Sequence, residues 1–229
     1  MSSSLLGMFL GIALGARHAL EPDHLAAVSV LASERPGVRR GVWLGALWGA
    51  GHTLALVGVG LLLVLLSTDM PARLADAFEF GVSVMLVVLG LRALRRAARD
   101  GVVGPSLAHR HADTTHRHPA GNSHVHVGGW TLASRPLLVG IVHGLAGSGA
   151  LTALAVAQLP SSGARGLFMV LFGLGSVVGM MALSGLAGWP LARLARRPLA
   201  ARALCAATGA LSMGLGVVWG WPLVGRLLS

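Results

Sequence analysis

The chain contains no lysine, a single cysteine and only eight acidic residues among 229. Each scarcity removes a class of function. Without lysine there is no Walker A phosphate loop, whose Lys contacts the nucleotide phosphates, so any energy from ATP has to come from another chain. One cysteine, Cys205, allows neither an internal disulfide nor a CxxC redox pair, and reads as a small packing residue in an apolar helix. Charged residues make up 11% of the chain against 54% hydrophobic ones, and the mean hydropathy is +0.73, far from soluble globular domains.

What is present suits a bilayer. A helix needs about 20 mostly apolar residues to cross the hydrocarbon core. Six such windows occur, at residues 5–31, 42–66, 78–94, 136–159, 167–191 and 204–223. The first lacks a basic leader and carries Arg17, His18, Glu21, Asp23 and His24, so it is expected to stay in the mature protein rather than be cleaved as a signal.

A net charge of +10 in a soluble protein would suggest nucleic acid; here its distribution suggests topology, and no nucleic-acid partner is expected. Arginines cluster after the first window (Arg35, Arg39, Arg40), between the third and fourth (from Arg92 to Arg135) and between the fifth and sixth (Arg193, Arg196, Arg197, Arg202). Arg73, Arg165 and Arg226 fall on the other side. The positive-inside rule then places both termini outside and the 100–134 loop in the cytoplasm, in a multi-pass protein of the inner (cytoplasmic) membrane.

The two halves resemble each other. Gly15 to Leu20 aligns with Gly140 to Leu145 at an offset of 125 residues, and Trp48 to His52 with Phe172 to Ser176 at an offset of 124. Three helices per unit is an odd number, so the second copy enters the membrane from the opposite side. The expected architecture is therefore an all-α integral membrane protein of six transmembrane helices, a 3+3 inverted repeat: residues 1–99, then a His-rich, disordered cytoplasmic loop at 100–134, then residues 135–229. Transporters built this way bind substrate near the midplane, between the repeats. Glycines four apart, such as Gly45 and Gly49, fit close helix packing and leave room for a homo-oligomer.

Five ionisable residues fall in the eight positions from Arg17 to His24. Each charged centre costs at least a few kcal/mol at the bilayer centre unless paired or coordinated, so such a cluster marks a functional site. Pro22 cannot donate to the carbonyl of His18, and the helix is expected to kink or unwind there. On an unbroken helix His18 and Asp23 would sit about 140° apart; an unwound turn can bring both, with His24, to one side and free carbonyls for the cavity. Imidazoles with one carboxylate suit a first-row transition metal better than Mg or Ca. Arg17 and Glu21, four apart, are expected to pair behind the ligands or at a gate. His52 and His143, in the repeat-related motifs, join the same pathway, with Ser148 and Ser176 as further lining or gating groups. The other six histidines, His109, His111, His116, His118, His124 and His126, form three His-x-His pairs suited to capture, buffering or sensing of metal.

The stretch His18-Ala19-Leu20-Glu21-Pro22-Asp23-His24, with Gly51-His52-Thr53 and His143-Gly144-Leu145-Ala146-Gly147-Ser148-Gly149, resembles the nickel/cobalt transporter superfamily (NiCoT or NicO type). Within it, the short form is similar to the six-helix efflux and urease-accessory-type permeases. The resemblance implies that His18, Asp23 and His24 bind a transported nickel or cobalt ion, with His52 and His143 nearby. Glu21-Pro22 differs from the Asp-Ala common at this place in the uptake carriers.

The expected function is thus a secondary carrier of divalent nickel or cobalt, with no resident cofactor and no enzymatic role. The two halves would rock about the site while protons compete with metal for the ligands. Import gains about 4.6 kcal/mol per 100 mV for a divalent ion, at about 2.3 per charge, whereas export needs coupling. A chelating loop in the cytoplasm tips the balance toward export. A membrane metal sensor or metal-insertion accessory protein would use the same ligands without flux. A membrane metalloenzyme built on histidine boxes is disfavoured, because its HxxxH and HxxHH spacings are missing, as is HExxH.

Overall fold

The computed structural model describes residues 2–34, 36–66, 68, 70–99, 108–111, 114–117, 125–127, 130–132, 134–146 and 161–228. Seven helices are described: α1 (Ser2–His18), α2 (Pro22–Glu34), α3 (Val38–Leu66), α4 (Ala72–Arg99), α5 (Ser134–Ala146), α6 (Ser162–Leu194) and α7 (Pro198–Leu228). Four of them, α3, α4, α6 and α7, are long and apolar enough to cross a membrane. Large apolar side chains such as Leu54, Leu65, Leu186, Leu199 and Trp221 lie exposed on their outer faces, as lipid contact requires and water does not favour.

The first apolar window is two helices rather than one. After His18 the chain makes a tight turn, in which the Leu20 and Glu21 amides donate to the Arg17 and His18 carbonyls at 2.9 and 3.0 Å. The His18 carbonyl, expected to be freed, is thus taken by Glu21. Pro22 then opens α2, where its missing N–H and fixed φ cost nothing. The new helix is buried almost all round, by Ala26, Ala27, Val28, Val30 and Leu31 among others, and lies at the centre of the core with Trp48, Leu86 and Met180. The fourth window is described only as far as Ala146, in α5.

The segment read as a disordered loop carries short strands in its described parts. β1 (Ala108–His111) pairs antiparallel with β2 (Thr114–Arg117), and β3 (Val125–Val127) with β4 (Trp130–Leu132). Thr and Val, β-branched residues that favour extended backbone, recur in these strands. His109 faces His116 in the register, His111 belongs to β1 and His126 to β3, whereas His118 and His124 lie outside the described residues.

Glycine sets how the long helices meet. A methyl group on Gly15 of α1 would strike the Phe172 carbonyl and Ser176 amide of α6; one on Gly140 of α5 would strike the Trp48 carbonyl and His52 amide of α3. Close contacts run from Gly41 to Ser184 and from Gly45 to Met180, so α3 and α6 are antiparallel. Those from Ser83 to Gly216 and from Gly90 to Gly209 make α4 and α7 antiparallel too. Contact numbering rises together along α1 and α6, and along α3 and α5, so those pairs are parallel.

Two packed groups result. Helices α1, α3, α5 and α6 form one, and α4 with α7 forms the other; α2 lies between them, packed more closely on α7 than on any other helix. This differs from two sequence halves packed side by side: α1 rests on α6 and α5 on α3, so the halves interlock. One end of the assembly gathers arginine. There, the Arg96 guanidinium donates to the Glu34 carbonyl and Arg202 Nε to the Ala97 carbonyl, both at 3.2 Å, satisfying backbone oxygens at the ends of α2 and α4.

The glycine contacts give a test. Gly45→Ala is expected to destabilise the protein by about 1–3 kcal/mol, the usual cost of overpacking. Gly81→Ala, where nothing lies within 4 Å, is expected to leave stability unchanged or raise it slightly through better helix propensity. Thermal unfolding of the detergent-solubilised variants reads both.

Candidate metal centre

Four helices bring the ionisable residues of the interior to one place. His18 is the last residue of α1, Asp23 and His24 sit in the first turn of α2, His52 comes from the middle of α3 and His143 from near the end of α5. The turn at residues 19–21 does what a continuous helix cannot, since it sets His18 and His24 with ring centroids 4.5 Å apart. Close backbone approach supplies the rest: Gly144 lies against the His52 backbone, so α5 can carry His143 to within 4.2 Å of the His24 ring.

The contacts are short and specific. Asp23 Oδ1 lies 3.0 Å from His24 Nδ1 and accepts from the His24 amide at 2.9 Å; Asp23 Oδ2 lies 2.8 Å from His143 Nε2. His18 Nε2 and His52 Nε2 face each other at 3.2 Å. Two nitrogens bound to one tetrahedral first-row ion at about 2.0–2.1 Å stand about 3.3 Å apart, so this spacing suits shared coordination. Donor atoms of His18, His24 and His52 all lie within 4.8 Å of one another, as do those of Asp23, His24 and His143.

The cluster is closed over. His18, His24, His52 and His143 are 0–4% exposed, and the free ring nitrogens His24 Nε2, His52 Nδ1 and His143 Nδ1 are buried with no hydrogen-bond partner among the described residues. Buried polar atoms left unsatisfied are costly, and a cation is one group that would satisfy imidazole lone pairs here. Imidazoles with a carboxylate fit a borderline first-row ion in kind.

Glu21 departs from expectation. Its carboxylate lies 2.9 Å from His18 Nδ1 rather than in the pair foreseen with Arg17. Residues 17 and 21 share a helical face only if the helix continues, and α1 ends at His18. The Glu21–His18 contact is a close approach without a ring N–H hydrogen bond. Glu21 is 37% exposed and connects the closed cluster to the outside. Ser176 is fully buried and donates to the Gly15 carbonyl at 3.2 Å, tying α6 to α1 behind His18. Ser148 lies outside the described residues.

Two walls were not singled out from the sequence. Trp48, fully buried, sets its ring 5.3 Å from His24 and 5.7 Å from His143; Phe172 lies 5.4 Å from His18. The signal was available, because Trp48 stands one helical turn before His52 and Phe172 is its counterpart in the aligned second half.

No family model matches the chain, and no solved structure matches it. Among proteins of known sequence, it is 28% identical over 183 residues to the chloroplast protein FOR GROWTH AND FERTILITY 1 of Arabidopsis thaliana and 29% identical over 178 residues to FOR GROWTH AND FERTILITY 2. Those matches take in 78% and 77% of this chain but only 48% and 45% of the plant proteins. A fuller match, 31% identical over 212 residues, covers 91% of this chain and 87% of the urease accessory protein UreH of Bacillus sp. (strain TB-90). With similarity at that level running through nearly the whole of both proteins, the chain belongs to the family of the urease accessory protein UreH.

Proposed function

We propose that this protein is a secondary carrier that passes a divalent nickel or cobalt ion across the cytoplasmic membrane through the His18, Asp23, His24, His52 and His143 cluster. The observation that carries the reading is the convergence of four imidazoles and one carboxylate, from four different helices, in the interior of a membrane-type bundle. Groups of this kind are rare at membrane depth and are retained where an ion pathway needs them. Nickel and cobalt come from the superfamily resemblance, and the relationship to a urease accessory protein is compatible with them.

The inverted repeat and the topology belong to the same proposal. Gly15 on Phe172 and Ser176 mirrors Gly140 on Trp48 and His52, and Gly49 on Val177 mirrors Gly173 on Thr53. Such reciprocal contacts are what a twofold axis in the membrane plane produces. The ends of α2, α4 and α6 meet the starts of α3, α5 and α7 at the arginine-rich end, which supports a cytoplasmic assignment there. Because the halves interlock, the moving boundary runs between α2 with α4 and α7 on one side and α1, α3, α5 and α6 on the other. The ion site straddles it.

Purified protein in proteoliposomes is expected to move Ni or Co, with His18→Ala and Asp23→Ala each abolishing flux. Flux that survives both changes would discard the site. In cells, lower nickel content and greater metal tolerance on expression identify export, the direction favoured by the chelating loop; the opposite pattern identifies import. A second reading, metal insertion for an enzyme without translocation, is favoured by the accessory-protein relationship, and predicts metal binding with no flux in the same vesicles.

The loop gives a separate expectation. Replacing its six histidines with Gln is expected to leave flux at saturating metal intact while lowering it several-fold at limiting metal, measured as a rise in the half-saturating concentration. Unchanged flux at all concentrations would remove the loop from capture.

A further inference from the structure

The interior cluster contains two sets of three donors, and they share one residue. His18, His24 and His52 make the first; Asp23, His24 and His143 make the second. The two are not equivalent. One offers three neutral nitrogens, the other two nitrogens and a carboxylate, and they draw on different helices: α1, α2 and α3 against α2 and α5.

Resting on the carrier function proposed above, we infer that the cluster is two alternative stations for a single ion, and that His24 is the ligand common to both, handing the ion from the three-histidine set to the Asp23–His143 set or back. The geometry of His24 is what points there. Its Nδ1 lies 3.0 Å from Asp23 Oδ1, on the second station, while its Nε2 is buried without a hydrogen-bond partner among the described residues. Its ring lies 4.5 Å from His18, 5.3 Å from His52 and 4.2 Å from His143. An imidazole has two nitrogens and can serve two sets of donors in turn. Two divalent ions on one imidazole would repel strongly in a medium of low dielectric, so the stations are filled in turn rather than together.

The packing supplies a reason for the exchange. His24 rides on α2, which lies between the α4–α7 pair and the group of α1, α3, α5 and α6 that holds His18, His52 and His143. A shift of α2 against that group strengthens one station at the expense of the other. Transfer then passes the ion from one ring nitrogen of His24 to the other, between stations whose donor atoms each lie within 4.8 Å of one another. Weak, multiple sites let an ion leave as readily as it enters, which a single five-ligand cage would hinder.

The test uses Co2+ alone, with full-length protein in nanodiscs whose six loop histidines are Gln, so that the interior cluster is the reporter. Visible absorption is expected to show one Co2+ bound. His52→Gln and His143→Gln are each expected to keep that one equivalent, with two different spectra: mixed nitrogen and oxygen donors in the first, nitrogen only in the second. His24→Gln, and the double variant His52→Gln/His143→Gln, are expected to lose binding at least tenfold. The idea is overturned if either single variant falls to the level of the double one, or if the two single variants give the same spectrum. For the unmutated cluster, 113Cd2+ resonance is expected to show two signals, or one that broadens and shifts with temperature; a single sharp line constant in position overturns it. Flux is read separately in vesicles. Two stations in a protein without flux would refute the carrier and leave the stations standing, whereas flux with one undivided site would do the reverse.

Discussion

Asp23 is the charge around which this bundle is organised. A carboxylate surrounded by apolar helices loses the hydration that stabilises it in water, and the penalty is met only by partners close at hand. Here the partners are His24, beside it on α2, and His143 from α5, at 3.0 and 2.8 Å. The second belongs to the other half of the chain. The contact therefore demands that α5 reach α2, which in turn demands that α5 lie flush on α3, and Gly140 and Gly144 are what permit that. Larger residues at those two positions would push α5 outward and strand the carboxylate.

The same demand explains the break in the first apolar window. A continuous helix through residues 5–31 would spread His18, Asp23 and His24 around its circumference. Ending α1 at His18 and restarting at Pro22 turns three dispersed side chains into neighbours, and leaves α2 as a short helix surrounded by others rather than by lipid. Its small residues, Ala26, Ala27 and Ala32, suit that central place, because they let the surrounding helices approach.

Much of this was legible in the sequence, for identifiable reasons. Polar residues in an apolar window are conspicuous, so His18, Asp23, His24, His52 and His143 stood out, and Pro22 announced the break because its missing N–H acts locally. What depended on tertiary packing did not show. The partner of Glu21 followed from where α1 ends, which spacing alone does not fix. In the sequence Trp48 and Phe172 read only as anchors of the aligned halves, since an aromatic in an apolar helix carries no sign of what it will face. The interlocking of the halves was invisible for a similar reason: glycine spacing tells that helices come close, not which ones.

That interlocking constrains how the proposed carrier could move. Where α1 rests on α6 and α5 on α3, each sequence half holds the other, and separating them would break the tight glycine contacts that unite the four helices. Fewer such restraints act on α2, which touches α3 little and has α7 and α4 as its main neighbours apart from α6. A motion that keeps the four-helix group intact bends the turns at both ends of α2, residues 19–21 and the segment around Gly37, whose φ of +139° suits glycine alone. Asp23 and His24 would travel with α2 while the other three histidines stay in place. The ligands are thus divided between a fixed part and a moving one, and a site divided in that way can open without the whole bundle coming apart.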